Sequence, residues 1–153
     1  MCGDFVGLEI PKSIKLEHQE LHEELEEATL EIGPIGEAAK AVNKVLQPHF
    51  EKEEEFALPP LGLLTLMSKG QAVSEISKVL AMTNKIKAEL DQMLKEHQEI
   101  VAKLKDLIDA AMKEDKLEYL RFAEKLTLHA QTEEEVLYPA AILIGEHLKI
   151  KQK

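Results

Sequence analysis

The chain has one cysteine, no tryptophan and only 4% aromatic residues in a length of 153. The lone thiol, Cys2, excludes an intramolecular disulfide and any cysteine-based zinc site, and agrees with a reducing compartment. So few aromatics beside 44% hydrophobic and 31% charged residues disfavour a sandwich or barrel of aromatic-rich strands and favour aliphatic helices with charged outer faces. An all-α protein is expected. Positive charge is in deficit: the net charge of -10 repels phosphate backbones, so nucleic acid is not an expected partner. Long apolar runs are also missing. The longest, around Leu58 to Met67, contains Pro59, Pro60 and Gly62 and falls far short of the ~20 residues a membrane span needs. Asp4 and Glu9 stand where the apolar part of a signal peptide would run. A soluble, cytoplasmic protein with no membrane partner is the expectation.

A chain of this length suggests one domain, able to bury roughly 68–70% of its unfolded surface. It divides into a lead (1–11), a helical body (12–145) and a tail (146–153). Ser13 reads as the cap of a first helix whose stripe is Ile14, His18, Leu21, His22, Leu25, Ala28 and Ile32, with Gly33 and Pro34 ending it. A second helix runs from about Ile35 to Phe56, with Pro48 predicting a kink and Pro59 and Pro60 a stop. The third is unusually long, its stripe continuing from Ile76 through Leu90, Leu94, His97, Val101 and Leu104 to Ala111. Asp115 reads as the cap of a fourth, in phase through Leu126, His129, Glu133 and Leu137 until Pro139, before a short helical piece and a lysine-rich end. Histidines and glutamates interrupt otherwise aliphatic faces. Buried charge is costly unless paired or metal-bound, so an inward carboxylate one turn from an inward imidazole needs a cause.

The halves repeat. Lys15-Leu-Glu-His18-Gln-Glu-Leu matches Leu94-Lys-Glu-His97-Gln-Glu-Ile, and His49-x-x-x-Glu53-Glu-Glu matches His129-x-x-x-Glu133-Glu-Glu, each followed by a proline, Pro59 or Pro139. His18 and His49 are 31 residues apart, His97 and His129 are 32, so each half is a hairpin with one histidine on its first helix and His-x-x-x-Glu on its second. Two such hairpins pack about a pseudo-twofold axis into an up-down-up-down four-helix bundle. Residues i and i+4 share a helix face about 6 Å apart along the axis, so each second helix can serve two adjacent metals. Its glutamate can bridge a pair ~3.5–4 Å apart. Imidazole and carboxylate without thiolate suit Fe, Mn, Zn or Cu. Ferritin-type bundles use Glu-x-x-His on two helices, and no Glu-x-x-His occurs in this chain.

From about Leu16 to Gly145 these residues resemble the hemerythrin and hemerythrin-like (HHE cation-binding) family. The resemblance implies a hemerythrin-like bundle holding two iron ions per chain, joined by an oxo or hydroxo bridge. It makes His18, His49, His97 and His129 ligands and Glu53 and Glu133 bridging carboxylates. His22 brings the set to the five histidines and two carboxylates of the family's oxygen carriers. Those carriers place a His-x-x-x-His pair on the third helix and end on an Asp five residues after its His; here the pair is on the first helix and Glu133 stands at i+4. The second-half equivalent of His22 is Val101, so the metal held by His97 and His129 has one imidazole fewer than the one held by His18, His22 and His49. An open position is expected there, among Val101, Leu104, Leu25 and Leu126, suited to oxygen or nitric oxide.

The remaining polar residues have plainer readings. Glu54, Glu55, Glu134 and Glu135 are expected on solvated faces, with room for one of them to bond a ligand histidine. His147 is expected at the surface, Cys2 as incidental, and Tyr119 and Tyr138 in core packing, with a bond to the site as the alternative for either tyrosine. A ligand shell with no acid or base beside the open position favours reversible oxygen binding or sensing over turnover. The alternatives, known from relatives, are peroxide or nitric oxide handling, iron donation for repair, and iron storage or buffering.

Overall fold

The computed structural model describes residues 7–152, and every regular element among them is helical. Cys2 lies outside the described residues. The elements are α1 (Lys12–Thr29), α2 (Pro34–Lys52), a 3-10 turn (Pro59–Leu63), α3 (Leu64–Ser68), α4 (Ile76–Lys113), α5 (Leu117–Thr132) and α6 (Tyr138–Lys151). None of these helices is long and apolar enough to cross a membrane. Helices α1, α2, α4 and α5 form a four-helix bundle, as the repeat implied.

The core is two apolar clusters. One joins Leu21 and Leu25 of α1, Val42 and Leu46 of α2, Leu104 of α4 and Leu126 of α5. The other joins Phe56 and Leu58 to Val79, Ile86 and Met93 of α4 and to Tyr138, Ile144 and Leu148 at the chain's end. At ~1.5 Å per residue the 38 residues of α4 span about 57 Å, enough to serve both. Each stripe passes from one cluster to the other through its histidine or glutamate: Phe50 on α2, then Glu53 and Phe56 just beyond its end; Met93, His97, Ile100 on α4; Leu126 and His129 on α5, then Tyr138 at the start of α6. A polar layer is thereby sealed above and below by aliphatic side chains.

Several helix ends differ from expectation. α1 starts at Lys12 behind Pro11, whose carbonyl takes the amides of Ile14 and Lys15 at 3.0 Å each, so Ser13 is inside the helix and caps nothing. Asp115 is left-handed at φ 57°, which serves the turn after α4, and Lys116 occupies the N-cap of α5. Gly33, at φ 97°, is the N-cap of α2 rather than the stop of α1, with Pro34 at the first helical position, where a missing N–H costs nothing. α2 runs through Pro48. Pro139 does not end the fourth helix either, because it falls in the first turn of α6, which continues to Lys151 and takes in most of the expected tail. There α6 lies against α4 so closely that a Cβ at Gly145 would stand 2.1 Å from Thr83 Oγ1.

Both His-x-x-x-Glu segments are followed by the same distortion. Glu53–Ala57 and Glu133–Leu137 form π-helical turns, closed by the amide of Leu58 on Glu53 O (2.9 Å) and that of Tyr138 on Glu133 O. Such single turns insert one residue into a helix and recur at functional sites.

Candidate metal centre

Six of the seven expected ligands meet in the polar layer. His18, His49, His97, His129, Glu53 and Glu133 are all buried. Their donor atoms form two groups, His18, His129, Glu53 and Glu133 in one, His49, His97, Glu53 and Glu133 in the other. The glutamates belong to both because each sends one oxygen to each side. Glu53 turns Oε1 to His18 Nε2 (3.6 Å) and Oε2 to His49 Nε2 (3.4 Å). Glu133 turns Oε2 to His129 Nε2 (3.0 Å) and His18 Nε2 (3.4 Å), and Oε1 to His97 Nε2 (3.1 Å). Each carboxylate thus faces both groups of imidazoles.

The histidines pair across hairpins. His18 faces His129 with ring centroids 4.9 Å apart, and His49 faces His97 at 4.6 Å with their Nε2 atoms 2.9 Å apart. The expected division put His18, His22 and His49 on one metal and His97 and His129 on the other; the structure instead groups the donors with one histidine from each hairpin in each group. The pseudo-twofold axis requires it: exchanging hairpins carries His18 and His129 onto His97 and His49.

Three of the four imidazoles are braced from behind. Nδ1 of His49 donates to Glu96 (2.8 Å), that of His97 to Glu134 (2.9 Å), and that of His129 to Glu17. Donation from Nδ1 leaves the Nε2 lone pair turned inward and raises its basicity, as a ligand histidine needs. Glu96 is itself tied to Lys52 Nζ (2.6 Å). Burial alone would raise its pKa, but bonds from Lys52, His49 and Gln92 hold its carboxyl below the usual value. His18 lacks a brace: its Nδ1 is buried without a hydrogen-bond partner, and its ring stacks on Phe50 at 4.1 Å.

Acidities inside the layer are shifted by its own charges. Burial depresses His49 and His129, yet hydrogen bonds and charge from Glu53 or Glu133 outweigh it, and both rise to about 9. Glu53 is pushed up to about 8, by burial and then by the charge of Glu133. Glu133 goes the other way despite burial, because Glu53, His129, His18 and His97 all bond to it. The layer thus holds an excess of lone pairs that positive charge must satisfy.

Glu53 Oε1 and His129 Nε2 are likewise buried without hydrogen bonds, although His129 Nε2 stands 3.0 Å from Glu133 Oε2. Both atoms belong to the donor group of His18, His129, Glu53 and Glu133, whose nitrogen and oxygen atoms all lie within 4.8 Å of one another. A cation between them fits the donor set. The hemerythrin HHE cation-binding domain model matches residues 10–141. The chain belongs to that family. No curated protein sequence and no solved structure matches it. As a hemerythrin-family chain with a buried His/Glu cluster, it is a metal-binding protein.

His22 stays outside this HHE cluster. Its side chain is 37% exposed and its Nε2 lies 3.2 Å from Glu26 of the same helix. Residues 18, 21, 25 and 28 form the buried line of α1, and i+4 from His18 falls about 40° beyond its edge. Val101, its equivalent, is 43% exposed, so it cannot help enclose an apolar position with Leu25, Leu104 and Leu126, which are buried in the first cluster. His22→Ala is expected to keep the metal content of the chain and to alter stability by no more than about 0.5 kcal/mol; metal analysis showing a lost ion would return His22 to the ligand set.

Two further kinds of residue join the expected ligands in the layer. The carboxylates Glu17 and Glu96 precede a ligand histidine in each half, and the repeated Glu-His was their visible signal. Glu134 proves to be the member of the acidic runs that bonds a histidine. The other kind is Tyr138, whose hydroxyl donates to Glu53 and lies 3.2 Å from His97 Nε2 and 3.3 Å from His49 Nε2. Burial, and then the charges of Glu53 and Glu133, push the phenol pKa far above its ordinary value. It also places an O–H group in a layer expected to contain none. Tyr119, by contrast, is far from the layer and donates to Glu31 (2.7 Å).

Proposed function

We propose that this chain is a non-haem di-iron protein that reversibly binds oxygen, as carrier, store or sensor. The observation carrying the reading is the pair of bridging carboxylates, each oxygen assigned to a different pair of imidazoles. Two ions, rather than one, are what that arrangement accommodates. His18, His129, His49 and His97 would hold them, with Glu53 and Glu133 between. Iron would supply the redox chemistry that oxygen binding requires. The chain's own part is to keep four Nε2 lone pairs inward, three of them by Nδ1–H bonds to Glu17, Glu96 and Glu134, and to keep bulk water out with two aliphatic clusters.

Approach from solvent is short. A surface cavity of about 290 Å3 beside His18, bounded by Lys15, His22, Gln47 and Glu54, leads to the unbraced imidazole. Another of about 460 Å3 lies over His97, beside Val101 and Gln131. A small neutral ligand needs no wider path.

Metal analysis after anaerobic reconstitution with ferrous iron should give two ions per chain. Stopped-flow mixing of that protein with oxygen should then yield a stable, reversible adduct. Rapid conversion to a resting diferric state, faster with peroxide, would replace the reading with redox turnover; failure to retain iron would end it.

A further inference from the structure

The two metal positions are not equivalent, and the difference lies in Tyr138. The π-turns put the residue five places after each glutamate back on the ligand-bearing side, and those residues are Leu58 in the first half and Tyr138 in the second. Both are fully buried. Leucine offers no donor atom, whereas tyrosine brings an oxygen. That oxygen is near the nitrogens of only one histidine pair, His49 and His97, and is 3.5 Å from Glu133 Oε1.

We propose that Tyr138 is a metal ligand, its phenol oxygen completing the position held by His49 and His97. This rests on the di-iron reading above. The plainer alternative is a buried tyrosine that only donates to Glu53. One proton satisfies one acceptor, but this hydroxyl confronts four groups. His49 and His97 have committed their Nδ1–H to Glu96 and Glu134, so in the neutral rings each Nε2 presents a lone pair. Their Nε2 atoms are 2.9 Å apart. An ion with donors at ~2.0–2.2 Å sets neighbouring donors roughly 2.9–3.5 Å apart at right-angled to tetrahedral geometry. The separations of 3.2, 3.3 and 3.5 Å from the phenol oxygen to His97, His49 and Glu133 fall in that interval. Three of the four neighbours of the phenol oxygen are thus spaced as donors on one ion would be, while Glu53, which takes its proton in the metal-free chain, is closer.

On coordination the metal–oxygen bond forms, the phenol O–H bond breaks, and the proton leaves to solvent with no change of oxidation state. The position of His18 and His129 then has four protein donors and that of His49 and His97 has five. The less filled position is where an exogenous ligand would add.

The test uses the full chain loaded with ferrous iron and oxidised with ferricyanide. Two irons per chain with a visible phenolate-to-iron charge-transfer band, and tyrosinate ring modes in its resonance Raman spectrum, are expected. Tyr138→Phe should bind two irons and lose both signals. The chain has only two tyrosines, so Tyr119→Phe, which should keep both signals, decides the assignment even if the first variant loads poorly. Fewer than two irons in the unaltered chain would overturn the di-iron reading and this one with it. Two irons without tyrosinate modes, or modes that persist in Tyr138→Phe or vanish in Tyr119→Phe, would overturn this one alone.

Discussion

Exchange of Glu133 for alanine is expected to empty the centre, taking bound iron from two ions per chain to well below one. No other side chain touches so much of it. Glu133 stands within 3.4 Å of His18, His97 and His129, and its two oxygens serve different imidazole pairs. Removing a partner behind a ligand typically costs 10–100-fold in metal affinity. A bridging ligand is shared by both ions, so its loss should exceed that range for each. Glu133→Gln separates charge from volume: the amide fills the space but cannot supply two anionic oxygens, and it should lose metal nearly as fully. The fold should survive in both, because the two apolar clusters that close the bundle do not include this residue. Metal analysis alongside circular dichroism would check it, and near-normal iron content in either variant would rule out Glu133 as the bridge.

The parts of this protein that were legible from sequence are those governed by α-helical periodicity. His49 with Glu53, and His129 with Glu133, are one turn apart, and their shared face needed only the 3.6-residue repeat. The helical hairpins and the twofold relation followed from the internal repeat. What periodicity could not carry was contact between hairpins. Spacing within a hairpin relates His18 to His49, but the partner of His18 across the layer is His129, a matter of which helix of the other hairpin packs beside α1. For Tyr138 a bond to the site was only the alternative to core packing, because five residues along an α-helix is about 140° around it, pointing away from Glu133. The π-turn cancels that rotation, and nothing in Glu-Glu-Glu-Val-Leu announced one. His22 failed in the opposite sense, since i+4 was taken as the same face where the buried line of α1 follows i+3 and i+7.

Raising the pH should weaken the metal-free chain and strengthen its hold on metal, over the same interval. His49 and His129 have folded-state values of about 9 against 6.5 in the unfolded chain. Their contribution to stability is complete below pH 6.5 and is lost as the pH climbs through about 9. Glu53, raised from 4.5 to about 8, adds to the decline, because the folded chain keeps a proton there that the unfolded one has released. Glu133 is depressed, so its contribution is already complete above 4.5 and does not enter. The melting temperature of the metal-free protein should therefore fall from pH 6.5 to 9. Metal binding displaces these same protons, and because each proton displaced contributes about tenfold per pH unit, the hold on metal should rise steeply between about 6.5 and 8. Chelator competition at fixed free metal, beside melting curves with and without iron, would show the stabilisation by metal widening with pH. A metal-free melting temperature that rises through this interval would mean that the imidazoles do not hold the protons the cluster assigns them.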